Sequence, residues 1–471
     1  MKKFTFKRQL LFVMLMLLGC LSIQAADDGL ITNQVVITLD EPGTLPQKIS
    51  ASDKYRITNL KVKGDINGTD LGFLREMAGQ SINGEDETDG KLSTLDLSDA
   101  KIVGGGEPYF NYRDYETYFT EYNKIGKYAF CSCNNLKRLT LPKDITSIEQ
   151  SAFFGCSGLT SITIPSSVTA IGKWSFDGCS SLTSIELPNS TTTIDESAFQ
   201  NCSDLTSVDL PSSITNIGDY VFFYCENLSK VNLPSEITAI SNGAFGGCSS
   251  LKNIELPAGI TSIGEDAFVN CSNLQNMNLP SGITTIGDYA FVGCSNLTNV
   301  ILPSALTSIG NIAFANCSNL ANVTLSSNIT SIGSSAFQDC SSLKNLTISK
   351  EVTSIKDIAL NNSYNWLELE SVYVAWENPI EAGSFFNRIK ISNCTLYVPQ
   401  GTKEAYANAD VWKDFGNIIE YDATGIDKVT NRSDVKEISR YSLNGQRVTS
   451  PTKGVNIVVY SDGSIKKVAV Q

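Results

Sequence analysis

Ten regularly spaced cysteines are the residues of this sequence whose type and spacing best suit a reactive or metal-binding site. They recur every 23 residues without exception, from Cys133 to Cys340. Regularly spaced thiols can form disulfides, bind zinc or act as nucleophiles. Zinc is disfavoured because the chain has no C-x-x-C pair and no histidine. The lack of histidine also removes Cys-His and Ser-His-Asp nucleophiles and the commonest general base.

The spacing of these cysteines predicts one inward-facing column. A thiol in such a column packs as a small apolar side chain. Neighbouring Cα atoms would lie about 4.8 Å apart, which is within disulfide range. Parallel side chains in register do not easily reach the dihedral angle of roughly 90° that a disulfide needs. We therefore expect buried free thiols, while Cys131 and Cys394 stand outside the column and are unexplained.

Carboxylates are the other candidates for chemistry. Among 49 acidic residues chance pairs are certain, so a carboxylate-based glycan hydrolase is kept only as a remote alternative. We expect no catalytic residue and no cofactor. Calcium takes oxygen ligands, so a calcium site is a second hypothesis and a plain solvated face is its alternative. The residues of that hypothetical site are Glu186, Asp209, Asn232 and Glu255.

A 23-residue repeat must position all of these side chains. Its pattern is I-x-x-I-x-x-x-A-F-x-x-C-x-x-L-x-x-[IV]-x-[LI]-P-x-x. The alternation around L-x-x-[IV]-x-[LI] predicts a short strand with one buried face, and A-F-x-x-C predicts one helical turn. Proline ends the strand because it has no N–H for the next ladder bond. Glycines after the second isoleucine, such as Gly172 and Gly218, predict a tight turn.

A fixed period of this length predicts a solenoid in which each coil stacks on the previous one. The expected fold is an α/β repeat that is predominantly β, with coils made of a short strand plus a short helical turn and a small β module at the C-terminus. Ten coils would form a rod or arc about 48 Å long. The expected divisions are a signal peptide at 1–25, an irregular repeat or cap region at 26–106, a Tyr-rich insertion at 107–123, the regular solenoid at 124–358, degenerate repeats and a C-terminal cap at 359–422, and the β module at 423–471.

Two sets of side chains are candidate ligand contacts. One set is a column of asparagines on the strand: Asn253, Asn276, Asn299 and Asn322. The other belongs to the Tyr-rich insertion: Tyr109, Tyr112, Tyr115 and Tyr118. Tyrosine-rich surfaces suit protein recognition and sugar stacking. The alternatives are a solvated strand face and rings that cap the end of the stack.

The repeat resembles the BspA-like leucine-rich repeats of bacterial surface proteins. The resemblance covers about residues 124–358 and rests on the L-x-x-[IV]-x-[LI]-P, I-G and A-F-x-x-C elements. It implies a non-enzymatic recognition or adhesion protein, secreted or on the cell surface, that binds host or bacterial macromolecules through an extended repeat face. A polysaccharide- or glycan-binding protein is the alternative. The partner would be an extracellular protein or glycan of unknown identity.

The N-terminus resembles a secretory signal. Basic residues precede an apolar run at 10–18 that is too short to span a membrane. Cleavage before Ala26 competes with lipidation of Cys20 in a lipobox-like Leu17-Leu18-Gly19-Cys20, and the residues after Cys20 favour cleavage. The net charge of −13 argues against nucleic-acid binding and against electrostatic docking on anionic lipid.

The C-terminal tail resembles the sorting domains of the type IX secretion system. The resemblance rests on the stretch 441–448, Pro451 and the stretch 453–458. It implies passage across the outer membrane of a Gram-negative bacterium and attachment at the surface. An Asp462-Gly463 turn signal predicts a hairpin of 455–460 with 465–470. A small β module that only closes the chain is the alternative.

Overall fold

The computed structural model describes residues 29–84, 86–112, 116–325, 328–352, 354–355, 360, 367–421, 437–442, 447–448, 450, 454–460 and 465–470. Within them the chain forms a predominantly β solenoid of about 16 coils spaced about 23 residues apart, which confirms the predicted fold class. The signal segment, including Cys20 and Ala26, lies outside the described residues, as does the Asp462-Gly463 turn.

A first parallel ladder contains the predicted strands. Consecutive coils pair in register one repeat apart, as in Val208↔Val231 and Val300↔Val323. Single bridges at Ser184 and Asn253 continue it. Its strands are Val35–Thr38, Asn59–Ile66, Thr94–Ile102, Arg138–Thr140, Ser161–Thr163, Ser207–Asp209, Lys230–Asn232, Asn276–Met277, Asn299–Ile301, Asn322–Thr324, Asn345–Ile348, Ser371–Val374, Thr395–Pro399 and Asn417–Tyr421.

A second parallel ladder, which the sequence pattern did not predict, lies at the second isoleucine of each repeat. Buried isoleucines pair one repeat apart, as in Ile263↔Ile286. Between Lys124 and Ile355 the ladder adds a second buried side to the coils. Its strands are Lys124–Ile125, Ser147–Ile148, Ala170–Ile171, Thr193–Ile194, Ala239–Ile240, Ser262–Ile263, Thr285–Ile286, Ser308–Ile309, Ser331–Ile332 and Ser354–Ile355.

The A-F-x-x-C stretch forms overlapping turns and not the helical turn that its spacing predicts. Residues such as Trp174 and Gly178 have positive φ angles of 55° and 75°, which interrupt a right-handed helix. Alternate N–H groups instead point along the solenoid to the next coil. Trp174 N donates to Glu196 O at 3.1 Å, and Phe176 N donates to Ala198 O at 2.8 Å. We call this stack, from two residues before to two residues after each repeated phenylalanine, the turn column.

The glycines after the second isoleucine have a different role from the predicted tight turn. Gly172 and Gly218 do not have positive φ angles. A Cβ at Gly218 would lie 2.3 Å from the carbonyl carbon of Asp195, and one at Gly172 would lie 2.8 Å from Gln150 N. Glycine at this position therefore lets the backbones of consecutive coils approach closely.

The core consists of identical side chains stacked in columns. Ten phenylalanine rings, from Phe130 to Phe337, lie nearly parallel with neighbouring centroids 5.0 to 5.8 Å apart. The repeated cysteine and leucine side chains are also buried. Dense contact between equal shapes fixes the spacing of the coils.

The first regular coil is covered by a helix and a hairpin, which contact the carbonyls of residues 127–129. The cap helix, Gly68–Met77, is preceded by a short helix, Leu45–Lys48. Asn67 and Asp70 form a capping box at the start of the cap helix. The hairpin pairs strands Gly105–Tyr112 and Glu116–Thr120, and it occupies most of the Tyr-rich insertion.

The C-terminal end of the solenoid is covered by packed aromatic rings. Trp412 lies against Trp376, Phe386, Tyr406 and Phe415 with ring centroids 5.4 to 6.1 Å apart. The supporting helices are Lys403–Asn408 and the 3-10 turns Ile391–Asn393 and Trp412–Asp414.

The C-terminal module is a separate antiparallel sheet. Gly454–Tyr460 pairs with Ile465–Val470, as the hairpin pattern predicts. Glu437–Ser442 and Arg447–Val448 complete its four strands. The domain boundaries given above stay predictions.

Candidate ligand-binding surfaces

The cysteine column has a structural role. In nine of its ten members the thiol donates a hydrogen bond to the phenylalanine carbonyl of the preceding coil. Cys225 Sγ, for example, lies 3.1 Å from Phe199 O. Burial raises the pKa of the Cys271 and Cys340 thiols to about 12, which disfavours the nucleophilic thiolate. The ten column cysteines are free, as predicted, and Cys131 and Cys394 are free as well.

The strand face is the outward side of the first ladder and carries the acidic row. Glu186, Asp209, Asn232 and Glu255 lie on consecutive coils, and the amide of Asn232 donates to Asp209. The row spans three strand spacings, about 14 Å, whereas calcium ligands lie about 2.5 Å from the ion. Within the described residues no group of three or more His, Cys, Asp or Glu side chains is placed to hold a metal. The calcium site stays a prediction, and a row of this length cannot place all four side chains around one ion.

The predicted asparagines form one continuous row on the strand face. Asn253, Asn276, Asn299 and Asn322 pair in register from coil to coil. The first three are exposed and Asn322 is half-buried. Asn345 extends the row by donating to Asn322 Oδ1 at 2.9 Å. The row therefore presents a regular series of amide donors and acceptors, and its role in ligand contact stays a prediction.

A pocket of about 560 Å³ interrupts the strand face. It opens where the ladder breaks between Lys230–Asn232 and the coil of Asn253. Asn253 and Glu255 line it together with Pro257 and Gly259. Three of the residues singled out from the sequence, Asn232 among them, thus line one concavity.

The tyrosine cluster divides between packing and surface. Tyr109 is 1% exposed, and its hydroxyl donates to Lys127 O at 2.8 Å. Tyr109 therefore caps the stack and is buried away from ligand, which corrects its assignment as a contact residue. Tyr118 is half-buried, with its ring centroid 5.2 Å from that of Tyr128. The side chain of Tyr112 and the whole of Tyr115 lie outside the described residues.

Arg75 is an important residue that the sequence pattern did not reveal, because it lies outside the repeat. It is fully buried in the cap helix, and its guanidinium donates to Tyr128 O at 2.8 Å and Ala129 O at 3.1 Å. In the next coil the equivalent carbonyl, Ala152 O, accepts from Phe130 N. The Arg75 guanidinium therefore takes the place of the backbone N–H groups that a further regular coil, stacked before residue 124, would supply.

A second missed feature is a cluster of rings on the turn column. We call Tyr220, Phe223 and Tyr224 the aromatic patch. A Cβ on the matching residue of the next coil would lie 2.1 to 2.6 Å from each ring, so glycine at these positions leaves room for the rings where they lie. The sequence does contain a signal for this patch: each of its three aromatic residues is followed by a glycine one repeat, 23 residues, later. Those glycines are Gly243, Gly246 and Gly247.

Comparison with known proteins identifies the repeat. A family model described as the BspA type leucine rich repeat region matches residues 123–252 and 238–366, which together are more than half of the chain. The chain belongs to the BspA-type leucine-rich-repeat family. No match was found among curated proteins.

Several solved structures are similar to this BspA-type chain. A leucine-rich repeat protein from Bacteroides ovatus ATCC 8483 is 25% identical with a TM-score of 0.47, covering 65% of this chain and 89% of its own. A leucine rich cell surface protein from Faecalibacterium prausnitzii A2-165 is 28% identical with a TM-score of 0.42, covering 68% and 86%. The T. pallidum leucine rich repeat protein is 30% identical with a TM-score of 0.28, covering 39% and 77%.

No described helix of this BspA-type chain combines the length and the apolar character needed to cross a bilayer.

Proposed function

We propose that this BspA-type chain is a non-enzymatic recognition or adhesion protein, secreted or displayed at the cell surface. It binds host or bacterial surface macromolecules through an extended repeat face. The observation that carries the proposal is the in-register stacking of the coils, which repeats the same outward positions along one long surface. Many weak contacts in parallel give strong attachment through avidity.

The chemistry of the side chains supports binding over catalysis. The column thiols are buried and protonated at neutral pH, and the chain has no histidine. Leucine-rich-repeat solenoids are extended binding scaffolds in general.

Export follows from the two ends of the chain. The N-terminal signal directs secretion with cleavage before Ala26, or anchors the chain through lipidated Cys20. The tail at 423–471 acts as a type IX sorting domain. Both proposals rest on the sequence patterns described above. Loss of surface display on deletion of 423–471 would support the second, and unchanged display would contradict it.

Capture from extracts tests the binding function. We expect the immobilised whole protein to retain specific proteins from host matrix and mucin extracts, identified by mass spectrometry and rebound after purification. The control is the same protein unfolded in urea, which keeps the composition and loses the repeat face. Absence of any rebinding ligand, or hydrolysis of a glycan or peptide by the purified protein, would contradict the proposal.

Glycan binding is the second candidate, favoured by the asparagine row and its pocket. Amide side chains provide paired donors and acceptors that suit sugar hydroxyls. A glycan array distinguishes the two functions. If a glycan binds and no protein ligand does, then Asn253→Ala should weaken that binding, while Asn345→Ala outside the pocket should not.

A further inference from the structure

The aromatic patch is held in place by the coil that follows it. Tyr220 and Phe223 meet edge to face with centroids 5.3 Å apart, and Phe223 meets Tyr224 at 4.5 Å. The glycines beneath the rings are buried, so the rings cover their backbone. Tyr224 is 44% exposed, and the other two rings are half-buried. The patch is therefore a preformed aromatic surface facing solvent, since the contacts that fix it are within the protein.

Three carboxylates lie near Tyr220, at one end of this patch. Gly243, under the ring of Tyr220, donates its N–H to Glu265 O at 2.7 Å, which places Glu265 and Asp266 beside the patch. Asp219 precedes Tyr220 in the chain and accepts from Asn242 N at 3.0 Å. Among the described residues, none of these three carboxylates forms an ion pair with a lysine or arginine. Burial, followed by the charges of neighbouring acidic residues, raises the pKa of Tyr220.

We propose that the aromatic patch and its flanking carboxylates bind a lysine- or arginine-rich segment of an extracellular protein. The proposal rests on the binding function above and adds the face and the chemistry of the partner. It places this contact on the turn column and not on the strand face where the asparagines lie.

The chemistry of the patch selects a cationic partner. Lysine and arginine side chains bind over aromatic faces, and unpaired carboxylates nearby attract the same charge. An anionic ligand is repelled by these carboxylates. An apolar ligand would exclude water from the carboxylates of Asp219, Glu265 and Asp266 without neutralising their charge, and this desolvation is unfavourable. Electrostatic attraction also accelerates association, and the net charge of −13 adds to it.

Titration calorimetry of the whole protein with synthetic peptides tests the proposal. The probe is a peptide of alternating lysine and glycine, and its Nε-acetyl-lysine form is the uncharged control. We expect Tyr224→Ser to weaken binding about two- to fivefold, as for one exposed cation–π contact. Tyr122→Ser is the matched control because Tyr122 is 68% exposed and lies outside the patch.

Two double variants distinguish the effect of the carboxylates beside the patch from the effect of the net charge of the whole protein. The double variant Glu265→Gln, Asp266→Asn should weaken binding, whereas Glu186→Gln, Asp209→Asn on the strand face should not. Both remove two negative charges, so only their location differs. Circular dichroism of each variant shows whether it is folded. If Tyr224→Ser does not fold, the two charge variants still test the proposal, because Gln and Asn have nearly the same shape as Glu and Asp.

Several outcomes of the peptide experiments would overturn the proposal. They are equal weakening by both charge variants, unchanged affinity in folded Tyr224→Ser, and equal binding of the acetylated peptide. Binding of glycans but not of the lysine peptide would also assign the patch to another ligand. If matrix proteins are still captured by variants that do not bind the peptide, the patch proposal fails while the adhesion function stands.

Discussion

The repeated cysteine is explained by one carbonyl oxygen in each coil. Phe199 O accepts the N–H of Cys202 at 3.3 Å and also the thiol of Cys225 at 3.1 Å. Alanine or valine at position 225 would lack the second donor, and a larger residue would strain a core with no spare volume. A small, weakly polar side chain satisfies both conditions. The period of the cysteines was evident in the sequence, but their shared acceptor was not.

Alkaline pH should unfold the solenoid through these thiols. The folded pKa of Cys271 and Cys340 is raised to about 12, against 9.0 for an ordinary thiol. Their contribution to stability is therefore complete below pH 9 and is lost as pH rises from about 9 to 12. By pH 10 each thiol should reduce the free energy of unfolding by about 1.4 kcal/mol. Burial raises the pKa of the other column thiols as well, so the free energy of unfolding should fall steeply as pH rises above 9.

Urea unfolding in reducing buffer, repeated from pH 8 to pH 11, measures this loss. The control is a variant with Cys225, Cys248 and Cys271 changed to alanine, whose stability should fall less steeply with pH. A free energy of unfolding that stays constant to pH 11 would contradict the prediction.

At the scale of the element, the turn column shows where the sequence argument failed. Apolar residues three to four apart are common to a helix and to overlapping turns, so their spacing cannot separate the two. The decisive signal was the residue two places after each phenylalanine. Glycine and asparagine are frequent there, and both tolerate left-handed backbone better than other residues. Examples with positive φ are Gly155, Gly178, Asn201, Gly247 and Asn270.

The cap was predictable only in part. The tyrosine-rich insertion stood out by composition, but its interpretation as cap or contact surface depended on which rings are buried. Burial depends on packing against the cap helix, and no pattern in the repeat specifies that contact. Tyr109 and Arg75 supply donors to Lys127 O and Ala129 O, and both carbonyls belong to the first regular coil.

Tyr109→Phe tests this capping role. The substitution removes the hydroxyl that donates to Lys127 O and keeps the buried ring, so we expect a loss of about 1 kcal/mol in the free energy of unfolding. Tyr122→Phe serves as control, with an expected change within about 0.5 kcal/mol at an exposed site. Urea denaturation measures both, and equal values for the two variants would refute a special role for the Tyr109 hydroxyl.

At the scale of the whole molecule, stability is a sum over nearly equivalent coils and their interfaces. Removal of residues 281–303 takes out one 23-residue period and joins Pro280 to Ser304 at equivalent positions. We expect the shortened protein to fold, with an unchanged type of circular dichroism spectrum and a lower free energy of unfolding, because the neighbouring coils can pair in the same register.

Removal of 281–291 is the matched comparison because it deletes about half a period. The remaining chain would then align phenylalanines with strand residues, so we expect an unfolded or aggregated product on gel filtration. Similar folding of both deletion proteins would mean that the register of the coils does not determine stability.

The common direction of the N–H groups in the turn column has an electrostatic consequence. The nine regular coils from Phe130 to Phe314 point these donors toward the C-terminal end and the matching carbonyls toward the N-terminal end. Aligned peptide dipoles add, as in an α-helix, so partial negative charge accumulates where the first coil begins. Arg75 lies there, fully buried, with no carboxylate partner among the described residues. The summed dipole of the coils thus provides the counter-charge for the Arg75 guanidinium. Further coils would add little to this stabilisation, because their dipoles lie far from the guanidinium.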